Sequence, residues 1–162
     1  MIGHTEQLFI QMIRILNRMD DMLYRQESIY FENGSIGKHF RHIINFYDEL
    51  LDAYYSGELC YEHRKRESVY EEFPKVAARR LREIIEIIPT LKDKQLTLSY
   101  DGFENHISSM DTTYFREIHH NLGHVTHHLA IVKIYLQQLD PTFNLEKDFG
   151  LAFSTIKNKE LN

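Results

Sequence analysis

The sequence predicts an all-α fold, a four-helix bundle, from three observations. Four stretches repeat apolar residues at three- and four-residue steps, the period of an amphipathic helix. Glycine (7) and proline (3) are scarce, too few for the many tight turns of an all-β sandwich. The helix-breaking signals fall between those stretches. A chain of 162 residues fits a single domain, 1–162, able to bury one core.

The first helix is expected from about Thr5 to Arg25. Leu8, Met12, Ile15, Met19 and Met22 make its apolar stripe, and Thr5 is placed to cap it. Asn33-Gly34-Ser35 then reads as a break followed by an N-cap. The second helix runs from about Ile36 to Tyr55, with Ile36, Phe40, Ile43, Tyr47, Leu50 and Tyr54 on one face and Ser56-Gly57 at its end. A charged linker, Glu58 to Tyr70, leads to Phe73-Pro74, which fits a helix start with proline in first position. The third helix carries Val76, Ala77, Leu81, Ile84, Ile85 and Ile88 to Pro89.

The helical period is lost from Thr90 to Met110. Residues 95–100, Gln-Leu-Thr-Leu-Ser-Tyr, alternate as an extended segment does, and Asp101-Gly102 is a turn signal. Asp111 or Thr112 is expected to cap the fourth helix, from about Thr113 to Leu139, which Asp140-Pro141 stops. The tail, 142–162, holds Leu145, Phe149, Leu151, Phe153 and Ile156. It is expected to pack back on the bundle, with the last residues frayed.

The formal charge, 19 − 24 = −5, argues against non-specific nucleic-acid binding. No run approaches the ~18 apolar residues of a spanning helix, and residues 1–7 lack the basic and apolar regions of a Sec signal. Cys60 is the only cysteine, which fits a reducing cytoplasm. The outlier is histidine: ten in all, five of them between His119 and His128.

Residues four apart on a helix stack on one face, so His120 pairs with His124, and His124 with His128. Two imidazoles at that spacing hold one divalent metal, as in the HExxH helix of zinc proteases. Val125 stands where that motif has its glutamate, so a protease-type base is not expected here. A third ligand must come from elsewhere, and His39 and His42 on the second helix are the candidates. Three histidines leave a zinc or nickel ion at least one open position. A lone helical histidine is ordinarily a surface or hydrogen-bonded residue. Five in ten residues, several beside the stripe of Leu129, Ile131, Val132, Ile134 and Leu136, are costly to bury without partners.

Two blocks carry a resemblance to a known family. They are Ser35-Ile36-Gly37-Lys38-His39-Phe40-Arg41-His42-Ile43 and His124-Val125-Thr126-His127-His128-Leu129-Ala130-Ile131. They resemble the helix-two block and the helix-four H-x-x-x-H block of the DinB-like, or YfiT-like, superfamily of metal-binding bundles. Tyr61-Glu62-His63-Arg64-Lys65-Arg66-Glu67 is similar to the Y-D-H-R-x-R-[DE] segment of one branch, and Arg116-Glu117-Ile118 fits the same branch. The resemblance implies an up-down-down-up four-helix bundle. It implies a divalent metal, zinc or nickel, on His42, His124 and His128. His39, His119 and His120 do not match ligand positions. His127 recurs in the branch but points about 100° away from His128 around the helix, as a neighbour of the site.

Characterised relatives are thiol-dependent S-transferases and metal-dependent hydrolases, so the expected partner is a small-molecule substrate, including a low-molecular-weight thiol. His39, His127, Arg41, His63 and Arg64 are the candidates for the surroundings of the metal, with Arg41, Arg64 and Arg66 as cations for an anionic thiol. Glu49 and Glu117 stand two turns from the nearest histidine ligand, so neither is expected to close the site. The alternative is a non-catalytic metal-binding stress or interaction protein. Apolar Phe143, Leu145, Phe149 and Phe153 in the tail suggest a homodimer.

Overall fold

A computed structural model describes residues 2–28, 34–101 and 107–160. Among them the chain forms seven α-helices and a three-stranded sheet, so the all-α four-helix bundle expected above is corrected to a mixed α/β architecture. In chain order the elements are α1 Ile2–Arg18, α2 Asp21–Arg25, α3 Ile36–Ser56, β1 Glu58–Leu59, α4 Val69–Glu72 and α5 Pro74–Ile87. Then come β2 Gln95–Asp101, β3 Ile107–Thr113, α6 Tyr114–Leu139 and α7 Phe153–Glu160. Tyr61–His63 and Ile88–Thr90 are single 3-10 turns.

The helices end where their capping groups dictate. The stretch expected as one helix from Thr5 to Arg25 is two, because the Asp20 carboxylate accepts the Leu23 amide at 2.8 Å and starts a new helix. Thr5 is no cap; it is buried inside α1. Ser35 caps α3 by accepting the Lys38 amide at 3.1 Å, and Gly57, at φ 87°, closes it with a left-handed turn. Replacing Ser35 with alanine is expected to cost about 1 kcal/mol, read as a shift in the urea midpoint. Thr113, one residue beyond the caps expected from sequence, caps α6 through the Arg116 amide.

The sheet is what the sequence underread. β1 runs parallel to β2, and β2 pairs antiparallel with β3 from Gln95↔Thr113 to Asp101↔Ile107. The segment expected at 95–100 is therefore one strand of a hairpin. Its partner, Ile-Ser-Ser-Met-Asp-Thr-Thr, buries only Thr112, so it has no alternating apolar pattern to betray a strand. The parallel partner is two residues long, fixed by the Thr97 amide donating to the Gly57 carbonyl at 2.9 Å. Asn33, Gly102, the Phe153 side chain and the chain end 161–162, used in the expectations above, lie outside the described residues.

α1 packs on α5 and α6, and α3 packs on the same two helices. One continuous apolar cluster fills the space between them, with Phe9, Phe40, Ile43, Leu81, Leu129 and Val132 fully buried. The tail folds onto its own chain: Phe149 is buried, and Phe143 and Leu145 pack against the core. Phe149 is thus used up within the protomer, while Phe143 and Leu145 stay partly exposed. No helix among the described residues is long and apolar enough to cross a membrane.

Candidate metal centre

The contact of α3 with α6 brings together His42, His124 and His128, half-buried, with one ring nitrogen of each within 4.8 Å of the others. They are the only such group of three among the described residues. His42 Nε2 lies 2.8 Å from His124 Nε2, which lies 3.2 Å from His128 Nε2. Two ligands of a tetrahedral zinc, each at about 2.0–2.1 Å, stand about 3.3 Å apart. The donor set is imidazole throughout and the spacing is close to that of a filled site, so these residues fit zinc or nickel.

Two of the rings have a partner on the nitrogen away from the cluster, and the third is stacked on its face. His39 lies on the far side of His128, Nδ1 to Nδ1 at 3.0 Å, and so supports that ring rather than closing the site as a fourth ligand. Arg64 donates from Nη2 to Nδ1 of His42 at 3.2 Å and from Nη1 to the Tyr61 carbonyl at 2.5 Å. Phe46, one turn after His42 on α3, stacks on His124 with ring centroids 4.3 Å apart. Tyr61 stacks on the other side of Phe46 at 4.5 Å.

The remaining expected neighbours are less close. Arg41 is paired with Glu71 on α4 at 2.5 Å. His63 is exposed and faces Asp101 at 3.7 Å. His127 is exposed, though its ring lies 5.3 Å from that of His128. His119 and His120 are exposed on α6, and Arg66 is exposed in the linker. Cys60 sits beside Glu62, and burial raises its thiol pKa, which disfavours the reactive thiolate.

The residue that sequence reasoning undervalued is Glu117. It is fully buried and accepts from the Tyr61 hydroxyl at 3.0 Å, from Thr112 Oγ1 at 2.6 Å and from Arg116 Nη1 at 2.6 Å. It thereby ties β3, α6 and the 61–63 turn together and holds the Tyr61–Phe46 stack against His124. Its position seven residues before His124, on the same helix face, was the available signal.

All three clustered histidines are kept neutral. Burial first, then Arg64, lowers His42 to about 3. Burial first, then His120, lowers His124 to about 4. Burial first, then His42, lowers His128 to about 3. Neutral imidazole is the form that binds a metal. The same shifts make the metal-free fold acid-sensitive. An unfolded histidine keeps its ordinary value near 6.5, so between there and about 3–4 the unfolded chain binds more protons than the native one. This contribution to stability is present above about 6.5 and is lost as pH falls toward 3. The melting temperature of metal-free protein is expected to drop from pH 7.5 to 4.5, and less steeply when all three histidines are asparagine. Equal slopes would refute the shifts.

Comparison of the chain with protein-family models, with curated proteins and with solved structures gives no match.

Proposed function

We propose that this chain is a divalent-metal-dependent enzyme acting on a small molecule, by transfer involving a low-molecular-weight thiol or by hydrolysis. The observation that carries this reading is the convergence of His42, His124 and His128 on one point, with His39 turned behind His128. Three neutral ligands leave a bound metal a position for substrate, whereas a structural zinc is ordinarily closed by a fourth protein ligand. A zinc or nickel ion there would supply a Lewis acid, lowering the pKa of a bound water or thiol. The chain's own part is to fix the three rings and to shield one side of them with Phe46 and Tyr61. The DinB-like resemblance supports the same pair of reactions, and the single half-buried Cys60 accords with a cytoplasmic setting.

A second reading, a non-catalytic metal-binding protein, draws on the cavities. One of about 470 Å³ is lined by residues of α1, α6 and the tail, including Leu8, Leu122 and Ile156. Another, of about 280 Å³, lies among Asn45, Asp48, Glu49 and Arg80. Neither is lined by the three histidines. Elemental analysis of tag-free protein, followed by thiol-transfer and hydrolase screens with zinc and nickel, separates the readings. One equivalent of metal with turnover supports the enzyme, stoichiometric metal without turnover supports the second reading, and no metal overturns both.

A further inference from the structure

Hydrogen-bond chemistry at His42 conflicts with its use as a ligand, and the conflict points to a role for Arg64. A guanidinium only donates, so Nδ1 of His42, 3.2 Å from Arg64 Nη2, is an acceptor. The single N–H of this neutral ring is then on Nε2, the nitrogen 2.8 Å from His124 Nε2. Giving the Nε2 lone pair to a metal moves the N–H to Nδ1. Two donors, Nδ1–H and the guanidinium, would then face each other. His128 meets no such conflict, because His39 is an imidazole and their contact reverses direction without moving either ring. Arg64 has no acceptor to offer and must let go.

Arg64 stays close when it does. Its Nη1 is held by the Tyr61 carbonyl, and its Cζ lies 4.8 Å from the centroid of Phe46, the ring stacked on His124. Among the described residues no carboxylate forms an ion pair with it, whereas Arg41, Arg80 and Arg116 each have one. The released fork is thus a half-buried cation with no carboxylate in ion-pair contact among the described residues, Glu62 and Glu49 acting on it only from farther off, beside the ligand position the histidines leave open. A planar oxyanion matches that fork in two parallel hydrogen bonds.

We propose that Arg64 is a gated anion-binding residue: it holds His42 in the metal-free protein, and on metal loading it releases His42 and pairs with a small carboxylate ligand at the site. This rests on the metal reading above.

The test is the zinc affinity of the whole protein, by competition with a chromophoric chelator, for wild type, Arg64→Ala and Arg64→Gln. In acetate-free buffer both variants are expected to bind zinc about three- to tenfold more tightly, since no hydrogen bond of ordinary strength must be given up. The glutamine amide serves as the control for a misfolded alanine variant, because it can turn its oxygen toward Nδ1–H. Adding acetate is expected to tighten zinc binding to wild type severalfold and to leave the variants unchanged. Imidazole ¹⁵N spectra are expected to show His42 with N–H on Nε2 without zinc and on Nδ1 with it. Equal or weaker zinc binding by both variants, an equal acetate effect, or an Nδ1–H form in metal-free wild type would overturn the proposal while leaving the metal site standing. A wild-type protein that takes up no zinc would overturn the metal reading and this one with it.

Discussion

Replacing His124 with alanine is expected to abolish stoichiometric zinc or nickel binding, with affinity falling by at least ~100-fold. The bound is conservative: loss of a group that merely orients a ligand costs about 10–100-fold. His124 is the central member of the cluster, with its Nε2 within 3.2 Å of the other two rings' Nε2 atoms. Its removal leaves only two ligands, His42 on α3 and His128 on α6, with ring centroids 4.6 Å apart. Two companion variants give the loss its meaning. His120→Ala changes an exposed residue whose ring is 6.5 Å from that of His124, and metal content should persist. His39→Ala removes only the support behind His128, and an intermediate loss of about 10–100-fold is expected. Isothermal titration of tag-free protein reads all three. Unchanged metal binding in His124→Ala would refute the site.

Gly37→Ala is expected to destabilise the protein by about 3 kcal/mol, at the upper end of the cost of overpacking a core. A methyl at Gly37 would fall inside contact distance of the carbonyl oxygen, carbonyl carbon and Cα of Glu71. Those are backbone atoms of α4, so no side-chain rotation relieves the clash. Moving α4 away would strain the Arg41–Glu71 pair and the hydrogen bond from the buried Tyr24 hydroxyl to the Tyr70 carbonyl at 2.5 Å. Gly123→Ala is the internal control. A Cβ there meets nothing within 4 Å, and alanine should stabilise α6 by up to about 1 kcal/mol. Urea unfolding of both variants checks the pair; equal midpoints would show that α3 and α4 do not pack as closely as described.

The elements that the sequence announced are those whose apolar period is longest. α3 reads as a helix because its stripe from Ile36 to Leu50 is buried and its ends carry Ser35 and Gly57, residues with their own local chemistry. α6 reads as one because the histidine face and the stripe of Leu129, Val132 and Leu136 share one period. The spacing of His124 and His128 on that helix put both on one face before any tertiary contact was known. β3 stayed hidden, since a strand that buries one residue of seven leaves no period-2 trace.

The sequence by itself determined the helices with long stripes, the pairing of His124 with His128, and the shortlist of histidines on α3. Each depends on dihedral period and side-chain type along one element. Tertiary structure decided the rest. Helix spacing left His39 and His42 open and the resemblance pointed to His42; it is the ring of His42 that faces the pair in the fold, which depends on how α3 is rotated against α6. Tertiary structure made Glu117, two turns before His124 on α6, the buried anchor of the Tyr61–Phe46 stack, since Tyr61 arrives from a linker with no helical phase of its own. It also added the sheet, whose ladder is closed by backbone amides and carbonyls. Those groups are the same in every residue but proline, so their partners are set by where the chain returns and not by which side chains it carries.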